Sequence, residues 1–199
     1  MPPKGGIFIT HFSYIRKNYK EFIMDPMRTF LTDENISCHK EYMKTLRLRH
    51  SIMEKSCPEI KGKSISEIEK MCINNKEKQE ILQNFREYLA HHLYFSSFCH
   101  EQRPHKFLKK YYSSTEAFLY QIYLSAMSEK TGFIFVYISD RGIPEIMHRQ
   151  FQEKLKYTPR LSLDISEHAY FLDYRFDKES YIRNAISHLN LSLLDNCGR

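Results

Sequence analysis

The chain has 199 residues, of which 42% are hydrophobic and 14% aromatic. This apolar content suffices for a folded core and excludes a wholly disordered protein. The longest apolar stretch, residues 132–138, is far shorter than the roughly 20 residues that cross a bilayer, so we expect no membrane insertion. Lysine and arginine exceed aspartate and glutamate by 30 to 24, giving a formal charge of +6 that favours an anionic partner.

Cysteine usage and basic clusters add little about function. The five cysteines are odd in number and include no Cys-x-x-Cys pair, so neither a disulfide framework nor a zinc finger is indicated, and a reducing compartment fits best. The first 20 residues carry basic but no acidic side chains. This is compatible with a mitochondrial presequence but lacks its usual serine and arginine richness. The densest basic cluster, Arg47, Arg49 and His50, is typical of a solvated helix face, with a phosphate-binding patch as the alternative.

Hydrophobic periodicity predicts helices in the first half of the chain. Apolar residues follow a 3.6-residue period over residues 36–53 and indicate a first long helix. A capping box formed by Ser64 and Glu67 predicts a short helix after it. A second long helix is predicted over about residues 77–98, with an apolar stripe along one side.

Two adjacent histidines lie on this second long helix. His92 falls within the apolar stripe, so its ring is predicted to face the core. His91 falls on the other side and is predicted to face solvent. A single histidine on an apolar face is more often a core residue than a ligand, so His92 alone does not indicate a metal site.

The second half of the chain mixes helices and strands. The predicted elements, in chain order, are a helix capped by Ser113 and Glu116, a buried strand over residues 132–139, a strand over residues 160–165 and a last helix capped by Asp177. Residues 145–157 fit neither pattern. This order favours an α+β architecture, with an N-terminal extension and helical domain over residues 1–103 and a C-terminal α+β domain over residues 104–199.

Asp164 and His168 are the pair most relevant to chemistry. Being four residues apart, they either share a helix face or leave the end of a strand and meet through a turn. Either arrangement offers one oxygen and one nitrogen ligand to a first-row transition metal. By spacing alone, such a pair is more often a surface hydrogen bond.

The sequence around this pair resembles a known family. DISEHAYF, followed by a terminal helix, is similar to the C-terminal signature DxWEHAYY of the iron/manganese superoxide dismutases. SISEIEKM, the helix with the histidine doublet and GFIFVYI follow the family's order, so the resemblance covers roughly residues 30–195. It implies an N-terminal helical hairpin packed on a C-terminal domain with a three-stranded antiparallel sheet flanked by helices.

The resemblance also implies a metal site, held in the family by three histidines, one aspartate and a solvent molecule. It assigns His92, Asp164 and His168 as ligands, and it places Glu34 at the first ligand position, eight residues before the active-site Tyr42. A carboxylate suits iron and manganese, but an anion in place of a neutral imidazole would favour the trivalent state and hinder reduction. We therefore expect a vestigial site without metal, with iron or manganese as the alternative cofactor.

Other family features are replaced in this chain. It has no tryptophan, although the family lines its metal cavity with them. The glutamine that tunes the metal-bound solvent corresponds to Tyr88 at the iron-type position and to the sequence around His148 and Gln150 at the manganese-type position. The resemblance implies that Glu167 pairs across a dimer with the partner subunit's His168; the alternative is a surface glutamate beside a core histidine.

These departures predict a protein that has lost catalysis. We expect a non-catalytic, superoxide dismutase-like structural subunit of a large assembly in the mitochondrial matrix, with the small subunit of the mitochondrial ribosome as the first choice. The expected partners are other protein subunits, a superoxide dismutase-like chain that is a paralogue or a second copy, and ribosomal RNA. The alternatives are an active superoxide dismutase with an altered ligand set and an accessory subunit of another mitochondrial complex.

Overall fold

Three helices form the N-terminal part of the protein in a computed structural model, which describes residues 25–63, 65–72, 78–101, 105, 107–150 and 159–195. They are α1 (Asp33–Ser56), α2 (Ile65–Cys72) and α3 (Gln79–Ser96). Thr32 begins α1, because its side chain accepts a hydrogen bond from the backbone N–H of Asn35, which is the usual role of an N-cap threonine. α1 packs along α3, and α2 packs on α3, so α3 is the centre of this part.

The C-terminal part combines three helices with a small sheet. Its elements are α4 (Thr115–Ser128), β1 (Phe133–Ile138), β2 (Pro144–Arg149), β3 (Pro159–Asp164), α5 (Glu167–Tyr174) and α6 (Lys178–Ser187). The strands form an antiparallel sheet in the order β2-β1-β3. β1 is the central strand, which explains why its β-branched and aromatic residues are almost all buried.

The predicted α+β class and the three-stranded antiparallel sheet are confirmed. Asp177 caps α6 as predicted, by accepting from the N–H of Ser180. The prediction of Ser113 as the cap of α4 was wrong by one residue, because Ser114 accepts from the N–H of Ala117. β2 lies within the segment that fitted neither pattern. Ser64 and the first 24 residues lie outside the described residues, and the domain division at residue 104 stays a prediction.

The end of α3 is anchored to the C-terminal part. Ser97 follows α3 directly, and its hydroxyl accepts from the N–H of Ser162 in β3 at 2.9 Å. Its carbonyl accepts from the N–H of Asn190, after α6, at 2.7 Å. These contacts fix α3 against β3, the strand that ends in Asp164. Among the described residues, no helix has both the length and the apolar character that a membrane crossing requires.

Candidate metal centre

Three side chains converge where α3, β3 and α5 meet. His91 lies on α3, Asp164 is the last residue of β3, and His168 is the second residue of α5. His168 Nε2 lies 2.9 Å from Asp164 Oδ2, His91 Nε2 lies 3.6 Å from the same oxygen, and the two Nε2 atoms are 3.4 Å apart. Asp164 and His168 therefore do not share a helix face. They meet because Asp164 ends β3 and a short turn leads from it to His168 on α5, which is the second of the two arrangements considered from the sequence.

A fourth histidine lies beside this group. His39 of α1 is buried, and its ring centroid lies 6.4 Å from that of His168 and 5.6 Å from that of Phe95. Its nitrogens fall outside the group of three donors that lie within 4.8 Å of one another. His39 is thus the outermost of four possible ligands, and it comes from the helix on which the resemblance places the first ligand.

The tautomers of two of these histidines leave Nε2 available. Nδ1 of His91 lies 2.9 Å from the carbonyl oxygen of Glu87, and Nδ1 of His39 lies 2.9 Å from that of Asn35. A carbonyl can only accept, so Nδ1 carries the proton in both rings and Nε2 keeps its lone pair. Burial lowers the pKa of both histidines, which favours the neutral form that binds metals.

The spacing of the three donors fits a transition metal ion. An ion about 2.1 Å from each donor would hold neighbouring donors about 3.0 Å apart at a right angle and about 3.6 Å apart at 120°. The three observed separations, 2.9, 3.4 and 3.6 Å, span this range. Imidazole nitrogens with one carboxylate oxygen suit iron and manganese. The residues present therefore fit such an ion.

The electrostatics of the group call for a positive charge. Asp164 is 0% exposed; its Oδ1 accepts from the N–H of Ser166 at 2.9 Å, whereas its Oδ2 faces the His168 and His91 nitrogens. Burial disfavours this carboxylate, but the neighbouring histidines outweigh burial, so the pKa of Asp164 is lowered. Burial likewise disfavours a charged His168, but the Asp164 carboxylate outweighs it and raises the pKa of that ring. A proton on His168 or a metal ion can supply the missing charge.

A tyrosine and a glutamate lie next to the donors. The Tyr42 ring centroid is 5.0 Å from that of His91 and 6.1 Å from that of His168. Its hydroxyl donates a hydrogen bond to the Glu87 carboxylate. Burial, and then this carboxylate, raise the pKa of Tyr42 well above its ordinary value. Tyr42 therefore lies next to two of the three donors, and its role in a metal site stays a prediction.

The structure does not bring His92, the expected ligand on α3, to the group of three donors; His91 lies there instead. His92 is buried, but its ring lies against Tyr88, with centroids 6.2 Å apart, while His91 reaches Asp164 and is 0% exposed. The expectation that His91 faces solvent was wrong. Adjacent residues of a helix point about 100° apart, so a shift of one residue exchanges one side of α3 for another.

Glu34 does not take part in the site. It is exposed in the first turn of α1, at the second helical position after the N-cap Thr32. Asn35 and His39, one turn apart, are the residues that α1 buries here. The expected loss of the first ligand depended on Glu34, whereas the histidine that α1 buries beside the group is His39.

Because His91 rather than His92 lies with the donors, the position expected for the iron-type glutamine moves by one residue, from Tyr88 to Glu87. Tyr88 stacks on His50, with ring centroids 5.5 Å apart, whereas Glu87, one residue earlier, contacts Tyr42. At the manganese-type position, His148 and Gln150 both donate to the carbonyl of Thr131, at 2.7 and 3.0 Å. A glutamate thus stands beside the site where the resemblance leads one to expect a glutamine.

Glu167 and His168 both face outward at the start of α5. Glu167 is exposed, and the His168 side chain is 47% exposed although one face meets Asp164. The pairing of these residues across a dimer stays a prediction.

Comparison with known proteins agrees with the C-terminal part of this description. Residues 100–196 match the family model "Iron/manganese superoxide dismutases, C-terminal domain". This range contains Asp164 and His168 and excludes His39, Tyr42 and His91. No curated protein gives a significant match. Residues 100–196 are therefore similar to the C-terminal domain of the iron/manganese superoxide dismutases, and this match supports membership of the chain in that family.

Proposed function

We propose that this chain binds one iron or manganese ion through His91, Asp164, His168 and His39 and catalyses the dismutation of superoxide. The observation that carries the proposal is the convergence of two imidazole nitrogens on one buried carboxylate oxygen. Such a group needs a cation, and its spacing suits a first-row metal. With His39 included, the donors are three histidines and one aspartate, the set that the resemblance implies for the family.

The residues around the donors have roles that suit this reaction. When bound, the ion supplies the one-electron chemistry that converts superoxide to oxygen and hydrogen peroxide. Peroxide formation consumes protons, and Tyr42 holds a hydroxyl proton next to two of the ligands, in a hydrogen bond to Glu87. The backbone carbonyls of Glu87 and Asn35 orient the His91 and His39 rings.

Access and charge also support the proposal. The His168 side chain is about half exposed, so small solutes can approach the donors from that side. The net charge of +6 favours the approach of an anion such as superoxide.

A second candidate is the non-catalytic structural subunit expected from the sequence. It is favoured by the raised pKa of His168, since a proton on this ring can balance Asp164 without a metal. The protein would then belong to an assembly of the mitochondrial matrix such as the small ribosomal subunit, with a superoxide dismutase-like chain against Glu167 and His168. Cosedimentation with ribosomal subunits, lost on RNase treatment, would support it; a free homodimer in extracts would contradict it.

Metal analysis and a dismutation assay on two matched variants separate the candidates. His91→Gln removes a ligand, and His92→Gln makes the same change at the adjacent, equally buried position. We expect near-stoichiometric iron or manganese and dismutation in the wild type and in His92→Gln, and loss of both in His91→Gln. Wild-type protein that stays metal-free and inactive after refolding with either ion would overturn the proposal.

A further inference from the structure

The first turn of α1 is held by a side chain from α5. Asp173 Oδ1 accepts from the Thr32 hydroxyl at 2.5 Å, and its Oδ2 accepts from the Thr32 N–H at 3.1 Å and from Nδ2 of Asn35 at 2.9 Å. Thr32 and Asp173 are 141 residues apart in the chain. One carboxylate therefore satisfies several donors at the start of a helix from another part of the protein.

This contact leads directly to His39. Asn35, 0% exposed, donates from its side chain to Asp173 and, at 3.4 Å, to the carbonyl of Ala169, also on α5. Its own carbonyl accepts the Nδ1 proton of His39. The residue that Asp173 holds is thus the residue that fixes the tautomer and orientation of the His39 ring.

The same short helix carries a ligand and the contact. His168 is the second residue of α5, and Asp173 lies five positions later, about 7.5 Å along the helix axis. α5 is short and regular, so Asp173 and His168 keep a fixed separation. The contact of Asp173 with the start of α1 therefore sets how far α1 lies from His168. His39 belongs to α1, so its distance from His168 is set in the same way. His39 is the outermost donor of the group, so its position depends most on how α1 sits against α5.

We propose that Asp173 is a positioning residue that holds His39 in place as the fourth ligand. The inference rests on the proposed metal site and adds a residue that touches neither metal nor substrate. Asp173→Asn keeps the size of the side chain but removes its charge, so the donors of Thr32 and Asn35 lose their charged acceptor and the Thr32 hydroxyl keeps a bond only by accepting from the new amide. A contact that only stabilised the fold would lower stability without acting through His39.

The test measures Co²⁺ affinity by competition with a chelator, on metal-free protein that is folded by circular dichroism. We expect Asp173→Asn to weaken Co²⁺ binding about 10-fold to 100-fold, the usual effect of losing a residue that orients a ligand. Asp140→Asn, which removes an exposed charge from the β1–β2 turn, should change it less than about 2-fold. In a His39→Gln background, Asp173→Asn should have no further effect. An equal loss in both backgrounds, or no loss in either, would overturn the proposal.

A metal-free measurement keeps this test separate from that of the proposed function. Nitrogen NMR of the His39 ring should show one tautomer, protonated at Nδ1, in the wild type and a mixture in Asp173→Asn. A wild type that takes up no ion would refute the proposed function. An unchanged His39 tautomer in Asp173→Asn would refute the role of Asp173, whether or not the protein binds metal. If Asp173→Asn does not fold, Asp173→Glu takes its place in both measurements, because it keeps the charge and the Thr32 cap but displaces the carboxylate by one methylene.

Discussion

Removal of the Tyr181 hydroxyl should destabilise the protein by an amount that the hydrogen bonds around Asp164 determine. Tyr181 is 0% exposed; its hydroxyl donates to the carbonyl of Asp164 at 2.7 Å and lies 3.1 Å from that of Tyr94. A phenol has one proton, so Tyr94 must be the donor in the second bond. Burial raises the pKa of both tyrosines, so both stay protonated at neutral pH.

Tyr181→Phe leaves two buried groups without their partner. The Asp164 carbonyl loses a donor, and the Tyr94 hydroxyl loses its acceptor. Because each unsatisfied buried group costs about 1–3 kcal/mol, we expect a loss of about 3 kcal/mol in the free energy of unfolding. For a chain of this length, such a loss corresponds to a decrease in Tm of about 6–12 °C.

Tyr94→Phe is the matched variant, because it removes only the donor and leaves the bond from Tyr181 to Asp164 intact. It should cost about 1 kcal/mol. The double variant should cost less than the sum of the two, since it also removes the orphaned Tyr94 hydroxyl. Tyr120→Phe, at a 55% exposed position, controls for loss of a phenol at the surface.

Urea denaturation measures all four variants, with an unchanged m-value as evidence that only stability differs. A smaller loss of stability in Tyr181→Phe than in Tyr94→Phe, or an effect no larger than that of Tyr120→Phe, would contradict the role of the Tyr181 hydroxyl.

Glu87→Gln removes a carboxylate that raises the pKa of Tyr42, so the pKa of Tyr42 should fall. Ultraviolet titration measures it, with Tyr42→Phe as the blank. An unchanged pKa of Tyr42 would contradict the contact. The pKa of His168 is raised, so protons compete with metal for this ring even above the ordinary histidine pKa of about 6.5. Co²⁺ affinity should therefore keep rising with pH beyond about 6.5. A plateau of the affinity below that pH would contradict this prediction. Gly132→Ala would place a methyl group 2.8 Å from a backbone oxygen of β2, at a residue whose φ is +107°. Thermal unfolding should show a loss of about 3 kcal/mol in stability, against about 1 kcal/mol for Gly62→Ala, where the space is open. Equal losses in the two variants would contradict the clash.

Local patterns were sufficient to predict most of the fold. The 3.6-residue period located α1 and α3 within a few residues at each end, and the buried run of β1 was recognised from its β-branched and aromatic residues. β2 was missed because its residues are mostly half-buried and show no clear alternation. α5 was not predicted as a separate helix, since its eight residues are too few to show a period.

The ligand on α3 could not be chosen from periodicity. From residue 85 to residue 95, only Glu87 is not buried, because α3 has α1, α2 and β3 packed around it. A single apolar stripe does not describe a helix that is buried on all sides, so the stripe placed His92 in the core but gave no sign that His91 is buried as well. The choice between them depends on which side β3 occupies, and that is a tertiary contact.

A signal for His39 was present in the sequence. The buried residues of α1 include Ile36, His39, Met43 and Leu46, which follow the helical period with a histidine in the second place. Counting back eight residues from Tyr42 led instead to Glu34, which is exposed. The role of Asp173 could not be predicted, because its partners on α1 are more than 130 residues away in the chain.

Anomalous diffraction at the iron and manganese absorption edges, from crystals of the purified protein, would locate the metal. We expect one strong peak at one of the two edges, bounded by His91 Nε2, Asp164 Oδ2 and His168 Nε2, with His39 as the fourth ligand. Crystals of protein supplied with both metals that show no peak there, or a peak bound to His92 or Glu34 instead, would contradict this expectation.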